Sequence, residues 1–593
     1  MRASRTILTA LVERADQFGS TPAYKRKENG QWRTYTWTEY FERVQYLAAG
    51  LKSLGVKKGD CVALLSVSSP EWALSDIAIL SLGAVTVPIY PSNTPEDVQY
   101  ILRDSESRFI IVENEAQFKK IEEFKSLDHI ITIEKLVHVK PGIISLDELE
   151  LLGKKLSFDL KKEIENVSPE DMATLVYTSG TTGKPKGAIL THGNLVSEVA
   201  DIQNAFPISS SDIFLSFLPF AHILARVEHL GSVYVGWCLA YAESIEKVSQ
   251  NLGEVKPTAL ISVPRIYEKA FNKIMTRVEG SSSLQKKIFH WALHVGNEVS
   301  MFLEKKKSIP LLLGLQYKLA SQLVFNKIRE NFGGRIRFLI SGGAPLSQDI
   351  ARFFHAAGLL ILEGYGLTET TAAVTGNRIE NFRFGTVGLP LSDVEIKIER
   401  EPGYPPGEGE VFIKSSKVFK GYFKKEADTR AVLNGGWLAT GDIGRIEDGG
   451  FLKITDRKKD IIVTSAGKNI APQNIENFLK TDPHISQVMI YGDKRNYLTA
   501  LVTLNQDELS KYAKAHQISY RDWADLISKK EVEELVKKIV EEKNKSLASY
   551  ETIKKFKILQ QDFTVESGEL TPTLKVKRKF CTEKYKSILE TMY

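Results

Sequence analysis

The order of apolar and polar residues predicts an α/β protein: a large N-terminal domain of mixed, largely parallel sheets flanked by helices, then a small C-terminal α+β domain. Three observations predict it. Strand-like apolar runs alternate with helical patterns through the first two-thirds of the chain, as a mostly parallel sheet covered by helices requires. A stretch at about 271–332 changes to spacings of three and four. After Arg445 the elements become short and mixed. A chain of 593 residues also exceeds what one ordinary core holds.

The runs CVALLSV from Cys61, AVTVPIY from Ala84, RFIIVE from Arg108, ATLVYTSG from Ala173 and IRFLISGG from Ile336 read as strands. The first, second and last precede helix-compatible segments, as strand–turn–helix units do. Leu284, Ile288, Trp291, Val295, Val299 and Phe302 recur at helical spacing and mark one face. Pro310 breaks that helix, and a second runs through Leu315, Leu319, Leu323 and Ile328. The pair is expected to pack as a helical hairpin. Beyond it, GGFLKITDRKKDIIVTSAGKNIAP precedes a helix, the strands QVMIYG and LTALVTLN, a charged helix around Glu531–Asn544 and a basic end. The expected domains are 1–455, with the helical insertion at about 271–332, and 461–593. The charged segment 456–460 (Asp-Arg-Lys-Lys-Asp) is the hinge between them.

Composition narrows the function classes. With 43% hydrophobic and 26% charged residues the chain is globular in type. Its 79 basic and 73 acidic side chains leave +6, a near-balance that gives no case for a nucleic-acid partner. Weak preference for anionic ligands or membrane surfaces stays compatible with that charge. Cys61, Cys238 and Cys581 are far apart with no CxxC pair, so neither a disulfide framework nor a zinc site is expected, and a reducing compartment fits. The N-terminus MRASRTILTALVERADQ has no apolar run of signal-peptide length. Ile77–Tyr90 is shorter than the roughly 20 residues of a spanning helix and contains Pro88. Ile213–Ala242 is interrupted by His222, Arg226, Glu228 and His229.

The segment Leu175–Gly187, LVYTSGTTGKPKG, carries the strongest chemical signal. An apolar strand runs into four hydroxyl side chains, three glycines and two lysines. Glycine lets backbone N–H groups approach phosphate oxygens, hydroxyls donate further bonds and lysine adds charge. A polyphosphate is the partner this chemistry suits. The spacing is not that of a Walker A loop, because only two residues separate Gly180 from Gly183-Lys184 and Pro185 follows. Gly364-Tyr-Gly366 continues as Leu-Thr-Glu and so fails GxGxxG. P-loop NTPases, kinases and Rossmann dehydrogenases are thereby disfavoured.

YTSGTTGKPKG is similar to the signature loop of the adenylate-forming superfamily, which includes acyl-CoA synthetases, luciferases and peptide-synthetase adenylation domains. Six further motifs of that superfamily follow in order. They are Leu218-Pro-Phe-Ala-His222, Gly342-Gly-Ala-Pro345, Glu363-Gly-Tyr-Gly-Leu-Thr-Glu-Thr370, Trp437-Leu-Ala-Thr-Gly-Asp442, Asp456–Asp460 and Leu570-Thr-Pro-Thr-Leu-Lys-Val-Lys577. The resemblance covers nearly the whole chain.

The resemblance implies attack of a carboxylate on the α-phosphate of ATP, a meeting of two anions that needs positive charge and a metal. Thr178 and Glu369 would hold Mg²⁺, for which oxygen ligands suit. Thr178, Ser179, Gly180, Thr181, Thr182, Gly183, Lys184 and Lys186 would take the phosphates. Gly343, Ala344, Pro345, Glu363, Gly364, Tyr365, Gly366 and Thr368 would form the nucleoside site, with Tyr365 stacked on adenine. Asp442 would accept both ribose hydroxyls, supported by Arg457. Lys575, in a Thr-Leu-Lys rather than Gly-Lys context, would clamp the α-phosphate and carboxylate. For the second half-reaction the mobile C-terminal domain would turn at Lys459, bringing Gly467 and Lys468 to coenzyme A.

Substrate choice rests on less. The apolar region Phe214–Tyr241, with Trp237, could line an alkyl tunnel or be ordinary core; each buried methylene is worth roughly 0.8 kcal/mol. His222 and Gly364 would lie at the carboxylate end. The insertion at 271–332 and the Thr-Pro-Thr-Leu-Lys ending resemble long-chain acyl-CoA synthetases. The implied activity is ATP-dependent ligation of a long-chain fatty acid to coenzyme A, releasing AMP and pyrophosphate. A ligase that passes the acyl group to a carrier protein would share every ATP motif, and a luciferase-like oxidase would need a further substrate. A nonenzymatic fatty-acid- or nucleotide-binding protein would be expected to have lost Lys575, Glu369 or Asp442. A cytoplasmic location is expected, and the hydrophobic substrate leaves open peripheral contact at the inner face of a membrane. Oligomeric state is not legible.

Overall fold

A computed structural model describes residues 6–136, 142–178, 184–400, 404–465, 468–571 and 575–593. Two large sheets dominate its N-terminal part. The first has seven strands, built outward from Cys61–Leu65, Val85–Ile89 and Phe109–Val112, which are parallel, buried and, but for Thr86, apolar. Met172–Thr178 joins the same sheet beside Val85–Ile89, and Lys186–Thr191 closes the edge antiparallel to it. The second sheet has nine strands, with Ile213–Ser216, Ala259–Ser262, Phe338–Ser341 and Ile361–Leu367 running parallel at its centre. Such largely apolar strands are what a sheet buried on both faces demands. The expected strand runs all lie in these sheets.

Two helices of the N-terminal part are buried nearly all round. Pro70–Ser81 starts with Ser69 as cap and Pro70 at the first helical position, an arrangement that satisfies one free N–H and needs none from the proline. Ile223–Val235 begins at His222, which is its cap. A fully buried ion pair joins the two. Arg226 donates to both oxygens of Asp76, at 2.5 and 3.1 Å, and to the Thr174 hydroxyl at 2.5 Å. Thr86 donates to the same carboxylate at 2.7 Å. The helix that presents His222 is therefore tied to two strands of the first sheet.

An antiparallel five-stranded sheet spanning Glu395–Arg457 follows. Beyond it lie Ile485–Tyr491, Leu498–Leu504 and Ile553–Ile558, a three-stranded sheet with one antiparallel and one parallel pair. The small C-terminal part is thus α+β. Among the described residues, each hydrophobic cluster lies wholly on one side of residues 455–461. Across that line the contacts are polar: Arg265 donates to the Ser486 carbonyl at 3.3 Å, Thr276 to Glu508 at 3.1 Å, and Asn474 to the Thr455 carbonyl at 3.0 Å.

The insertion is helical, as its periodicity indicates, with Ser283–Glu304 and Leu311–Ala320 as its two main helices. In the first helix the marked face is buried at Val295 and Val299, and Trp291 and Phe302 pack partly against the core; in the second the marked leucines are not buried. Phe289, Ala292, Val295 and Val299 pack inward, while Leu284 is exposed. In the second helix and its continuation, Leu313, Ala320, Phe325 and Ile328 are buried, and Leu315, Leu319 and Leu323 face solvent. Two apolar stripes coexist there, and spacing alone cannot say which one meets the core.

Candidate active site

The carboxyl ends of the central strands of both sheets converge on one cleft of about 3320 Å³, lined also by residues beyond 461. Open parallel sheets bind ligands at that end, because the strand-to-helix loops are exposed there. Thr178 stands at the last position of its strand, opposite Lys186 in the antiparallel register. Residues 179–183 of the glycine-rich segment, with Ser179, Gly180, Thr181, Thr182 and Gly183, lie outside the described residues, as does Gly467. Of the two loop lysines, Lys184 places its ammonium 5.0 Å from the Tyr100 ring centre. Lys186 pairs with Asp428 and lies 5.4 Å from the ring of Tyr422.

The strand Ile361–Leu367 supplies the opposite wall. Glu363, Gly364, Tyr365, Gly366, Thr368 and Glu369 all border the cleft. A Cβ on Gly366 would sit 1.4 Å from the Ala372 carbonyl, so only glycine lets the backbone fold back there. Glu369 follows in a short turn closed by Thr370, and Thr371 and Ala372 have φ of 59° and 100°. Such angles store strain, and they recur at functional sites. The turn is held from below: Lys417, fully buried, reaches Asp201 at 2.9 Å, Glu198 at 3.3 Å and the Ala373 carbonyl at 2.8 Å. Burial raises the Glu198 carboxyl to about 7 despite that lysine.

Glu363 is buried, its carboxyl pushed up to about 8 by desolvation, and accepts the Leu346 N–H at 3.3 Å. Its place in the structure is to fix the loop Gly343-Ala344-Pro345, which lies open to the cleft with Gly343 at φ 81°. Tyr365 donates its phenolic hydrogen to Asp442 at 2.7 Å, and Arg457 donates to the other carboxylate oxygen at 3.0 Å. Burial and the neighbouring Asp442 charge hold the Tyr365 phenol protonated far above its ordinary range. Lys458 binds Glu410 at 2.8 Å while Glu410 also accepts the Gly441 N–H, which steadies the strand end that carries Asp442.

Lys575 enters the same cleft from the C-terminal segment, its backbone paired with Thr571 through bonds of 2.8 and 3.1 Å. Burial and the Arg457 charge pull its ammonium down to about 8, against the pull of Asp442 and Asp460. His222 also lines the cleft, its Nδ1 accepting the Leu224 N–H at 3.2 Å. That bond leaves the ring hydrogen on Nε2. Desolvation, helped by the Lys575 charge, holds the imidazole neutral down to about 4. The cleft is also lined by the apolar side chains of Ile202, Phe206, Phe217, Leu224, Val227 and Ile340. Gly364 borders it too, and a Cβ there would meet the Thr375 carbonyl at 3.3 Å.

Thr178 and Glu369 are both oxygen donors on the cleft wall. Tyr422 donates to Glu369 Oε1 at 2.7 Å, which leaves Oε2 for a cation. No three His, Cys, Asp or Glu side chains converge among the described residues. One hydroxyl and one carboxylate suit a hard cation whose shell is completed by phosphates and water, the usual habit of Mg²⁺.

Two expected residues are elsewhere. Trp237 packs against Phe214 at 4.8 Å and against Gly231, where a Cβ would meet the indole at 2.3 Å. It is core and not a wall of the cleft: only 2% exposed, its ring is enclosed by these neighbours. Lys468 lies 6.0 Å from the Tyr550 ring, away from the cleft. Lys459 does border the cleft. Tyr422, Asp428, Glu410 and Tyr100 were not found from sequence. Their segments have no distinctive composition, and only the fold brings them to the motif residues.

The profile of the AMP-binding enzyme family matches residues 11–423, and that of the AMP-binding enzyme C-terminal domain matches 459–593. The chain is 35% identical over 576 residues to long-chain-fatty-acid–CoA ligase FadD15 of Mycobacterium bovis, covering 96% of this chain and 94% of that protein. It is 32% identical over 594 residues to the peroxisomal long chain acyl-CoA synthetase 7 of Arabidopsis thaliana, covering 96% and 83%. Among solved structures, the adenylation domain of a carboxylate reductase from Mycobacterium chelonae superposes with a TM-score of 0.79. It is 24% identical and covers 99% of this chain and 91% of that one.

Proposed function

Because this chain belongs to the AMP-binding enzyme family, we propose that it ligates a long-chain fatty acid to coenzyme A in two half-reactions. A fatty-acid carboxylate oxygen attacks the α-phosphorus of ATP, and pyrophosphate leaves. The coenzyme A sulfur then attacks the acyl carbonyl carbon, and AMP leaves. The observation that carries this reading is the meeting of Lys575 with Asp442 and Arg457 in a cleft that His222 and a set of apolar side chains also line.

The residues divide the work. Asp442, fixed by Tyr365 and Arg457, presents carboxylate oxygens suited to ribose hydroxyls. Lys184, Lys186 and Lys575 supply positive charge where two anions must meet, which is the largest electrostatic need of this step. Neutral His222 lines the cleft without adding a charge to repel Lys575. Thr178 and Glu369 would hold Mg²⁺, which lowers the phosphate charge when bound. The proposed domain limits are 1–455 and 461–593 around a hinge at 456–460. Lys468 stands outside the cleft, and rotation at the hinge would carry it and Gly467 toward the thiol. This arrangement, with Lys575 inside, suits the adenylating half-reaction.

No helix among the described residues is long and apolar enough to cross a membrane. We place the enzyme in the cytoplasm, with peripheral contact at a membrane face where fatty acids partition. The test is incubation with ATP, Mg²⁺, coenzyme A and acids from acetate to oleate, with products identified by mass spectrometry. Long acyl-CoA with equal AMP is expected. AMP without acyl-CoA would move the acceptor to a carrier protein, and no acid-dependent product would overturn the reading.

A further inference from the structure

The outward face of the helical insertion carries leucines that nothing in the protein covers. Leu311 is 83% exposed, Leu312 71%, Leu315 59%, Leu319 49% and Leu323 46%. Their spacing of one, three, four and four places them along one side of the helix Leu311–Ala320 and its continuation Ser321–Phe325. Met301 and Leu303, at the end of the preceding helix, are also exposed. The opposite side, through Leu313, Ala320, Phe325 and Ile328, is buried, so the helix is already anchored and the exposed stripe is surplus to folding. Exposed apolar surface on this scale marks an interaction site.

Within the stripe's own segment the charge is of one sign. From residue 305 to residue 329 the chain has no Asp or Glu. Lys305, Lys306, Lys307, Lys318 and Lys327 are exposed there, and none of the five has a carboxylate partner among the described residues. Of the two acids that bracket this run, Glu304 is bound to Arg352 at 2.9 Å and Glu330 is exposed. A second copy of the chain would bring this lysine cluster against its own image in a two-fold interface, where like charges repel. An anionic lipid bilayer fits both features at once. Leucines enter the boundary between headgroups and acyl chains, and the lysines pair with lipid phosphates.

We propose that the face formed by Met301–Leu323 docks this enzyme on an anionic bilayer. The proposal deepens the reading above, since it gives the membrane contact a surface.

The test is co-sedimentation of the full chain with sucrose-loaded vesicles of phosphatidylglycerol and phosphatidylcholine, or of phosphatidylcholine alone. The wild-type protein sediments with the anionic vesicles and is released by salt. Each lysine near an anionic surface strengthens binding about fivefold, so Lys305→Gln/Lys306→Gln/Lys307→Gln weakens it about a hundredfold. Leu311→Ser/Leu312→Ser/Leu315→Ser weakens it at least about tenfold. A control, Leu151→Ser/Leu152→Ser on the helix Leu146–Lys154, leaves it unchanged. Both insertion variants keep wild-type turnover of an acid dispersed in detergent but lose turnover of oleate held in vesicles. Wild-type binding by both variants, or a dimer in sedimentation velocity that the leucine variant abolishes, overturns the proposal. Loss of acyl-CoA formation by the wild-type protein in detergent would overturn the ligase reading instead, while vesicle binding would still stand.

Discussion

Tyr422 donates its phenolic hydrogen to Glu369 at 2.7 Å, so the carboxylate proposed to hold the cation is aimed by a residue 53 positions away. The same ring stands 5.4 Å from the Lys186 ammonium. One tyrosine thus touches both the carboxylate proposed to hold the cation and the lysine proposed to bind phosphate. Partners of this kind fix the orientation of a metal ligand, and their removal costs about 10–100-fold in metal affinity or activity.

Tyr422→Phe is therefore expected to raise the Mg²⁺ concentration for half-maximal pyrophosphate exchange by about tenfold or more. The fold should persist, because the ring still packs on Phe419 at 4.9 Å. An unchanged Mg²⁺ requirement would show that the bond is only structural.

Lys575 gives a pH signature. A lysine is charged below its pKa, and this one is drawn down to about 8 in the free enzyme. The kcat/KM for ATP in the adenylating half-reaction should fall as pH rises through about 8, since that ratio reports the free enzyme. Lys575→Arg should lose the alkaline limb, because guanidinium stays charged. Lys575→Ala should lose adenylation and keep thioester formation from supplied acyl-adenylate.

The Arg226–Asp76 pair predicts an asymmetry in stability. Arg226→Met leaves a buried carboxylate without its cation, a change that costs about 3–5 kcal/mol. Removing both charges, as Asp76→Asn/Arg226→Met, should recover much of that. Thermal unfolding of the two variants, followed by circular dichroism, distinguishes a paired charge from simple loss of packing: equal losses would favour packing.

Glu228 acts with the opposite sign to an ordinary surface acid. Burial raises its folded pKa to about 8, above the unfolded value of 4.5, and Ser216 donates to one oxygen at 2.6 Å. The folded state holds a proton that the unfolded state releases, so this contribution is complete below about 4.5 and is lost as pH rises through 8. Glu228→Gln should match the parent near pH 5 and exceed its melting temperature near pH 8.5. A parallel pH dependence in both proteins would contradict the assignment.

Much of this was legible in the sequence. Motifs identified Thr178, Glu363, Tyr365, Glu369, Asp442, Arg457 and Lys575, which the described structure brings to one cleft, because each motif is a strand end or loop whose spacing the fold preserves. Strands such as Cys61–Leu65 were legible because nothing polar interrupts them. Trp237 was not placed, since an apolar run reads alike in a tunnel and in a core. Leu315, Leu319 and Leu323 were misread for a related reason: helical spacing reports a stripe but not what it faces. Tyr422 and Asp428 gave no local signal at all, and their role exists only through contacts between distant segments.

The division of the hydrophobic clusters at residues 455–461 has a thermodynamic consequence. Two cores that share no hydrophobic cluster among the described residues are expected to melt as two units, and without substrate the calorimetric trace should resolve two heat-absorption peaks. Lys575 belongs to the smaller unit and Asp442 to the larger. A nucleotide bound between them adds its binding free energy to the junction alone. The two peaks would then draw together with rising ATP, so the cooperativity of unfolding would itself read out occupancy of the cleft.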